Sequence, residues 1–177
     1  MNGYLLFFLL IFFFAVFVLP SWRVWKQTGV NPIVLPKDDT ALGFVGRAFK
    51  VLMVLVFVVV LVNVFAQQGL TWLAPIHYLS ISWLTWAGFA LLHLALILVL
   101  LAQAQMKKSW RIGIDEARKT ELVTTGIFRR SRNPIFLGLL LALLGLVLML
   151  PNAMTLCLLV ASYLVIQVQV RLEKRNW

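Results

Sequence analysis

Long apolar runs separated by short polar segments dominate the pattern of the chain. Five runs approach the length that a helix needs to cross a membrane, about 20 residues at a rise of about 1.5 Å each. They show no period-two alternation, so they predict helices rather than barrel strands. The predicted spans are Gly3–Trp22, Arg47–Ala66, Tyr78–Ala104, Pro134–Leu150 and Asn152–Val170.

The composition agrees with a chain that uses the bilayer as part of its solvent. Of the 177 residues, 62% are hydrophobic, more than a water-soluble core of this size can bury. We therefore predict an all-α, polytopic integral membrane protein with about five transmembrane helices in one structural domain. Residues 1–104 carry the first three helices, and residues 105–177 carry a polar loop and a C-terminal helical hairpin.

Positive charge is distributed unevenly along this pattern. The chain has 16 Lys and Arg residues against 6 Asp and Glu. The basic residues lie in segments 23–50, 107–132 and 171–175, whereas loop 67–77 and the turn at Pro151 have none. The positive-inside rule then predicts an outside N-terminus and a cytoplasmic C-terminus. The charge points to anionic membrane lipid as a partner, and we predict no nucleic-acid partner.

Small residues follow one face of the fourth predicted helix, at Gly138, Ala142 and Gly145. Such faces let membrane helices approach each other closely. Because Pro151-Asn152 leaves room only for a tight turn, we expect a compact hairpin. It would bring Arg132 close to Arg171 and Glu173 at the cytoplasmic surface.

Metal and nucleophile chemistry finds little support in the sequence. Cys157 is the one cysteine, and neither His77 nor His93 has a second ligand at metal-binding spacing. We therefore predict no metal. For His93, inside the third span, we expect a hydrogen bond to a neighbouring helix, with a functional role as the alternative.

Polar chemistry is concentrated between the third and fourth spans, where residues 106–138 hold eight of the sixteen basic residues. Arg132 can present its planar guanidinium to a carboxylate, and the helix that starts at Pro134 offers backbone N–H groups. Glu121 and Glu173 can pair with an ammonium group or with ribose hydroxyls. A basic belt that holds lipid phosphates explains the same residues, and spacing alone leaves both interpretations open.

A family resemblance bears on that choice. Residues 121–128 read ELVTTGIF and residues 132–138 read RNPIFLG, after SWRIGID at 109–115. They resemble the isoprenylcysteine carboxyl methyltransferase family, whose pattern is Leu-Val-x-x-Gly-x-Tyr followed by Arg-His-Pro-x-Tyr-x-Gly. The lead-in resembles its bacterial branch, and phospholipid methyltransferases share the C-terminal architecture. The resemblance covers approximately residues 100–177.

The resemblance implies a methyltransferase of the bacterial inner membrane that uses S-adenosylmethionine. The cofactor would occupy a cytoplasmic pocket closed by the loop and the tail, and a prenylated, isoprenoid or lipid-like acceptor would enter from the bilayer. Arg171 is expected to contact the acceptor. A carboxylate acceptor is slightly favoured, because it needs no base whereas an amine must first lose a proton. The implied cofactor-binding residues are Glu121, Leu122, Val123, Phe128, Arg132, Asn133, Pro134, Phe136 and Glu173.

The sequence departs from the family pattern at several positions. Asn133 stands where the family has His, and Phe128 and Phe136 stand for tyrosines. Lys174 replaces the second Glu of the tail, and the sequence ends before the amphipathic segment that follows in the family. These departures favour the alternative of a non-catalytic lipid-binding or assembly membrane protein that retains the fold. A small transporter is a third, less favoured alternative, because the spans contain no acidic residue.

Overall fold

A computed structural model describes residues 2–29, 40–66, 71–106, 125–131 and 133–175 of the chain, with the backbone alone for residues 2 and 173–175. Within these ranges the molecule is helical and has no strand, which confirms the predicted all-α class. Four helices are long and apolar enough to cross a membrane: Gly3–Thr28, Ala41–Phe65, Ser82–Met106 and Ala153–Leu172.

The first helix is continuous but changes its winding. α1 (Asn2–Phe13) leads into a π-helical turn (Phe14–Val18) and then α2 (Leu19–Thr28). Pro20 has no N–H to donate to the Val16 carbonyl four residues earlier. Gln103 on a later helix donates to that oxygen instead, at 2.6 Å. A buried side chain therefore replaces the donor that the proline lacks.

The remaining helices are α3 (Ala41–Phe65), α4 (Ser82–Met106), α5 (Pro134–Met149) and α6 (Ala153–Arg175). α5 has 16 residues, or about 24 Å, and is shorter than the roughly 30 Å hydrocarbon core. It still lies within the bundle, between α4 and α6.

Several predicted helix boundaries were wrong. The first helix extends to Thr28, where Gly29 ends it with a φ of +69° and donates its N–H to the Trp25 carbonyl. α3 begins six residues before the predicted Arg47, because the Thr40 hydroxyl caps it by accepting from the Gly43 N–H. The first helix continues into the polar sequence RVWKQT at 23–28, and α3 begins at its Thr40 cap rather than at its first charged residue.

The small-residue face of α5 packs against α4, not against α6 as the hairpin argument expected. A Cβ atom on Gly145 would lie 2.9 Å from the Gly88 carbonyl oxygen, and one on Gly88 would lie 2.7 Å from the Gly145 oxygen. Gly138 similarly meets Val99 and Ala95. Close approach needs small residues on both partners, and α4 supplies them at Gly88 and Ala95.

The α5–α6 turn is tied to the loop before α4. The Asn152 side-chain oxygen accepts from the Thr155 N–H at 2.8 Å and caps α6. Ile76 donates to the Pro151 carbonyl at 2.8 Å, and Ala153 donates to the Ala74 carbonyl at 2.9 Å. The loop before α4 and the α5–α6 turn, which contain no Lys or Arg, therefore lie at the same end of the bundle. This pairing agrees with the predicted topology, while the in–out orientation remains a prediction.

Candidate functional site

The segment before α5 is anchored to the end of α4. It forms a 3₁₀ turn, Gly126–Arg129, whose Ile127 N–H donates to the Gln105 side-chain oxygen at 3.0 Å. Gly126 has a φ of +62°, and a Cβ atom there would overlap the Gln105 side chain. The backbone conformation therefore favours glycine, and a larger residue would also have to displace the Gln105 side chain that holds the turn. This explains the glycine of the ELVTTGIF segment.

Asn133 caps the first turn of α5. Its side-chain oxygen accepts from the Phe136 N–H at 3.1 Å, and Pro134 follows as the first helical residue, fully buried. Asparagine is among the best N-cap residues, and proline fits a first-turn position that needs no donor. The cap uses the amide oxygen, whereas the amide NH₂ group of Asn133 is not part of it. While the cap holds, the Phe136 N–H is not available to a ligand.

Phe136 connects this helix start to the interior of the bundle. Its ring stacks on Phe49 of α3, with the ring centroids 6.0 Å apart and the planes at 18°. Phe49 is also part of the wall of an apolar groove that continues along α5 past Leu139 to Leu146. The N-terminus of α5 and the groove are therefore neighbours through one aromatic pair.

The groove lies between the first helix, α3, α4, α5 and α6. Its cavity volume is about 100 Å³, and part of the groove is open to the surroundings. Of its eighteen lining residues, seventeen are apolar, five of them phenylalanines, and the exception is Ser162. Such a wall suits a hydrocarbon chain, because no strongly polar group has to lose its water.

The start of α5 is recessed relative to the end of α4. Gly138 packs against Ala95 and Val99, so Pro134, one turn earlier, lies beside the turn of α4 that follows Val99. α4 continues to Met106, about one further turn, or roughly 5 Å. The α5 N-terminus therefore lies about one helical turn short of the end of α4.

A model of the phospholipid methyltransferase family matches residues 83–176, which include nearly all of α4, the anchored turn, α5 and all of α6. The chain belongs to the phospholipid methyltransferase family. Membership implies methyltransferase activity in general and agrees with the resemblance found in the sequence. Neither a curated protein nor a solved structure matches the chain.

The structure of this family member brings together part of the predicted site. Asn133, Pro134 and Phe136 share the first turn of α5, and Phe128 is half-buried in the turn held by Gln105. Arg171 is exposed on α6, and Glu173 lies on the last turns of that helix, with its side chain outside the described part. Glu121, Leu122, Val123 and Arg132 also lie outside the described residues. Their roles, and the expected proximity of Arg132 to Arg171 and Glu173, stay predictions.

Two residues that sequence reasoning missed support the region. Gln105 holds the 3₁₀ turn, and Phe49 joins Phe136 to the groove. Gln105 is one of two glutamines in the last turn of α4, and Phe49 is one of 13 phenylalanines. Neither had a distinguishing pattern in the sequence.

His93 takes the structural role predicted for it. Its Nε2 atom lies 2.6 Å from the Tyr4 hydroxyl of the first helix, and its Nδ1 atom lies 2.7 Å from the Phe89 carbonyl oxygen. Because a carbonyl can only accept, Nδ1 carries the proton and Nε2 accepts from tyrosine. The expected bond to a neighbouring helix is confirmed.

Proposed function

We propose that this protein is a membrane-embedded, S-adenosylmethionine-dependent methyltransferase that acts on a lipophilic acceptor. The observation that supports this most strongly is the direct link between the α5 N-terminus and the apolar groove, through Phe136 and Phe49. A soluble acceptor would have no use for an apolar groove inside the bundle. Family membership supports the methyl transfer itself.

The residues present fit the cofactor. Arg129 and Arg130, both exposed, add positive charge next to Arg132, which suits the carboxylate of a methionine moiety. Because the Asn133 cap already uses the Phe136 N–H, carboxylate recognition would fall mainly to the Arg132 guanidinium and the Asn133 amide NH₂. Glu121, Leu122, Val123, Phe128 and Pro134 would complete the pocket, and Glu173 would close it from α6.

When bound, S-adenosylmethionine supplies an electrophilic methyl group: the new bond to the acceptor forms as the carbon–sulfur bond breaks, and the electron pair stays on sulfur. The protein positions the acceptor against the cofactor and excludes water from the reacting groups. The groove would hold the acceptor's tail and direct its head toward the α5 N-terminus, with Arg171 nearby. In-line displacement depends strongly on such alignment and on exclusion of water.

A carboxylate head is slightly favoured over an amine. A carboxylate is already ionised at neutral pH, whereas an amine must give up a proton to a base. The two histidines of the chain lie away from the α5 N-terminus. His93 is bonded to Tyr4 near the start of the first helix, and His77 lies in the loop that pairs with the α5–α6 turn.

The test is methyl transfer in a native lipid mixture. The purified protein in lipid nanodiscs would receive S-adenosylmethionine with an isotope-labelled methyl group and bacterial membrane lipid extract. We expect a labelled lipophilic product, identified by mass spectrometry, that is lost in Arg132→Ala and retained in Arg130→Ala, a neighbouring change of the same charge. Binding of cofactor and lipid without any labelled product would instead favour a non-catalytic lipid-binding protein.

A further inference from the structure

The side chains that line the groove differ in burial between its two ends. At the end farther from Phe136, four helices each contribute one buried side chain: Leu5 is 3% exposed, Val60 0%, Leu92 5% and Leu146 4%. At the end near the α5 N-terminus, the lining residues Phe17, Phe49, Met53 and Leu139 are only half-buried. A chain that enters beside Phe136 therefore meets a floor.

The depth of the groove is close to that of one membrane leaflet. Phe49 and Val60 lie eleven residues apart on α3, a distance of about 16 Å along the helix axis. Half of the roughly 30 Å hydrocarbon core is about 15 Å. A tail that fills the groove is thus about as long as the tail of an ordinary membrane lipid.

Most of the wall lies outside the part of the chain that the family model matches. Eleven of the eighteen lining residues come from the first helix and α3, before the matched region begins at residue 83. The matched region carries the predicted cofactor residues. The shape of the tail site is therefore set largely by the first helix and α3, outside the matched region.

We propose that the groove limits the length of the acceptor's hydrocarbon tail. It holds a tail up to one leaflet in length and excludes longer tails at the floor formed by Leu5, Val60, Leu92 and Leu146. That this tail belongs to a methyl acceptor rests on the proposed function. The length limit rests on the closed end of the groove alone. Polar groups along the tail are disfavoured, because Ser162 is the one polar residue in the wall.

The test uses saturated fatty acids, which carry a carboxylate head and one tail. They would compete with a fluorescent fatty acid for the protein in nanodiscs, without S-adenosylmethionine, in a series from about eight to about twenty-two carbons that brackets a leaflet depth of ~15 Å. Affinity should fall at least tenfold beyond a limiting length. Leu146→Ala should move the limit to tails about three carbons longer, the number of carbons removed, and Leu146→Phe should move it to shorter ones.

Leu144→Ala is the matched control, because Leu144 is on the same helix but 37% exposed and outside the groove. Its limit should equal that of the unmodified protein. Leu92→Ala removes a floor side chain of α4 instead. It serves as the test variant if Leu146→Ala does not fold. A limit that is absent, or unchanged in both floor variants, would overturn the inference. A clear limit without any methyl transfer would overturn the proposed function and leave the tail site standing.

Discussion

Replacing Gly126 with alanine should detach the 3₁₀ turn from α4 and weaken cofactor binding. The backbone there has a φ of +62°, and the new Cβ atom would overlap the Gln105 side chain, which accepts the Ile127 N–H. Gln105 can move away only by giving up that hydrogen bond. The turn leads directly to Arg132 and Asn133, so its displacement would disturb the predicted cofactor pocket.

The size of the effect follows from two contributions. A left-handed conformation costs a residue with a Cβ atom about 1–2 kcal/mol, and a lost hydrogen bond costs about 0.5–1.5 kcal/mol. Together they give about 1.5–3.5 kcal/mol. If cofactor binding requires the anchored turn, affinity for S-adenosylhomocysteine should fall approximately 10- to 300-fold, at about 1.4 kcal/mol for each factor of ten.

The assay is titration calorimetry with S-adenosylhomocysteine in nanodiscs, and Gly29→Ala is the control. Gly29 has a φ of +69° but nothing within 4 Å of a Cβ atom, so it carries the backbone penalty without the clash. Gly29→Ala should bind like the unmodified protein, and Gln105→Ala should show an intermediate loss. Equal affinity in Gly126→Ala and the unmodified protein would refute the link between the anchored turn and the pocket.

Three further changes test other parts of the account. Asn133→Ala should destabilise the protein by about 1 kcal/mol in detergent unfolding, because the helix loses its N-cap. Asn133→Asp should keep the cap, so equal stability of the two variants would contradict the capping role. Gly145→Ala should lower the stability in the same assay by about 1–3 kcal/mol, because the added methyl group pushes α5 away from α4. Gly3→Ala is the control and should leave the stability unchanged, because its methyl group meets open space. Equal stability of the two variants would contradict the close packing of α4 and α5. Arg132→Ala should weaken S-adenosylhomocysteine binding at least tenfold and Arg130→Ala much less, and an equal loss would indicate general electrostatics.

The helical architecture was predictable because long apolar runs in a membrane permit few structures. The small-residue face at Gly138 and Gly145 was visible as well, but its partner was not. Sequence spacing shows which side chains share a face, and nothing in it says which neighbouring helix that face will meet. Adjacency in the chain suggested α6, whereas the matching small residues Gly88 and Ala95 lie on α4.

The segment that holds the candidate site was predictable, whereas the arrangement of its residues was not. The motif located Asn133 and Phe136, yet the groove beside them is built mainly by the first helix and α3, more than seventy residues earlier. Apolar residues that line a groove look the same in sequence as those that face lipid. Only the packing of five helices separates Phe49 in the groove wall from Phe44, which is 61% exposed.

The measurement that tests the central claim most directly is binding of S-adenosylmethionine and S-adenosylhomocysteine to the purified protein in nanodiscs, by titration calorimetry. The account predicts micromolar binding that weakens at least tenfold in Arg132→Ala and in Glu173→Gln, a loss of about 1.4 kcal/mol or more. Absence of binding, or binding that both changes leave unaltered, would contradict the cofactor site proposed at the start of α5.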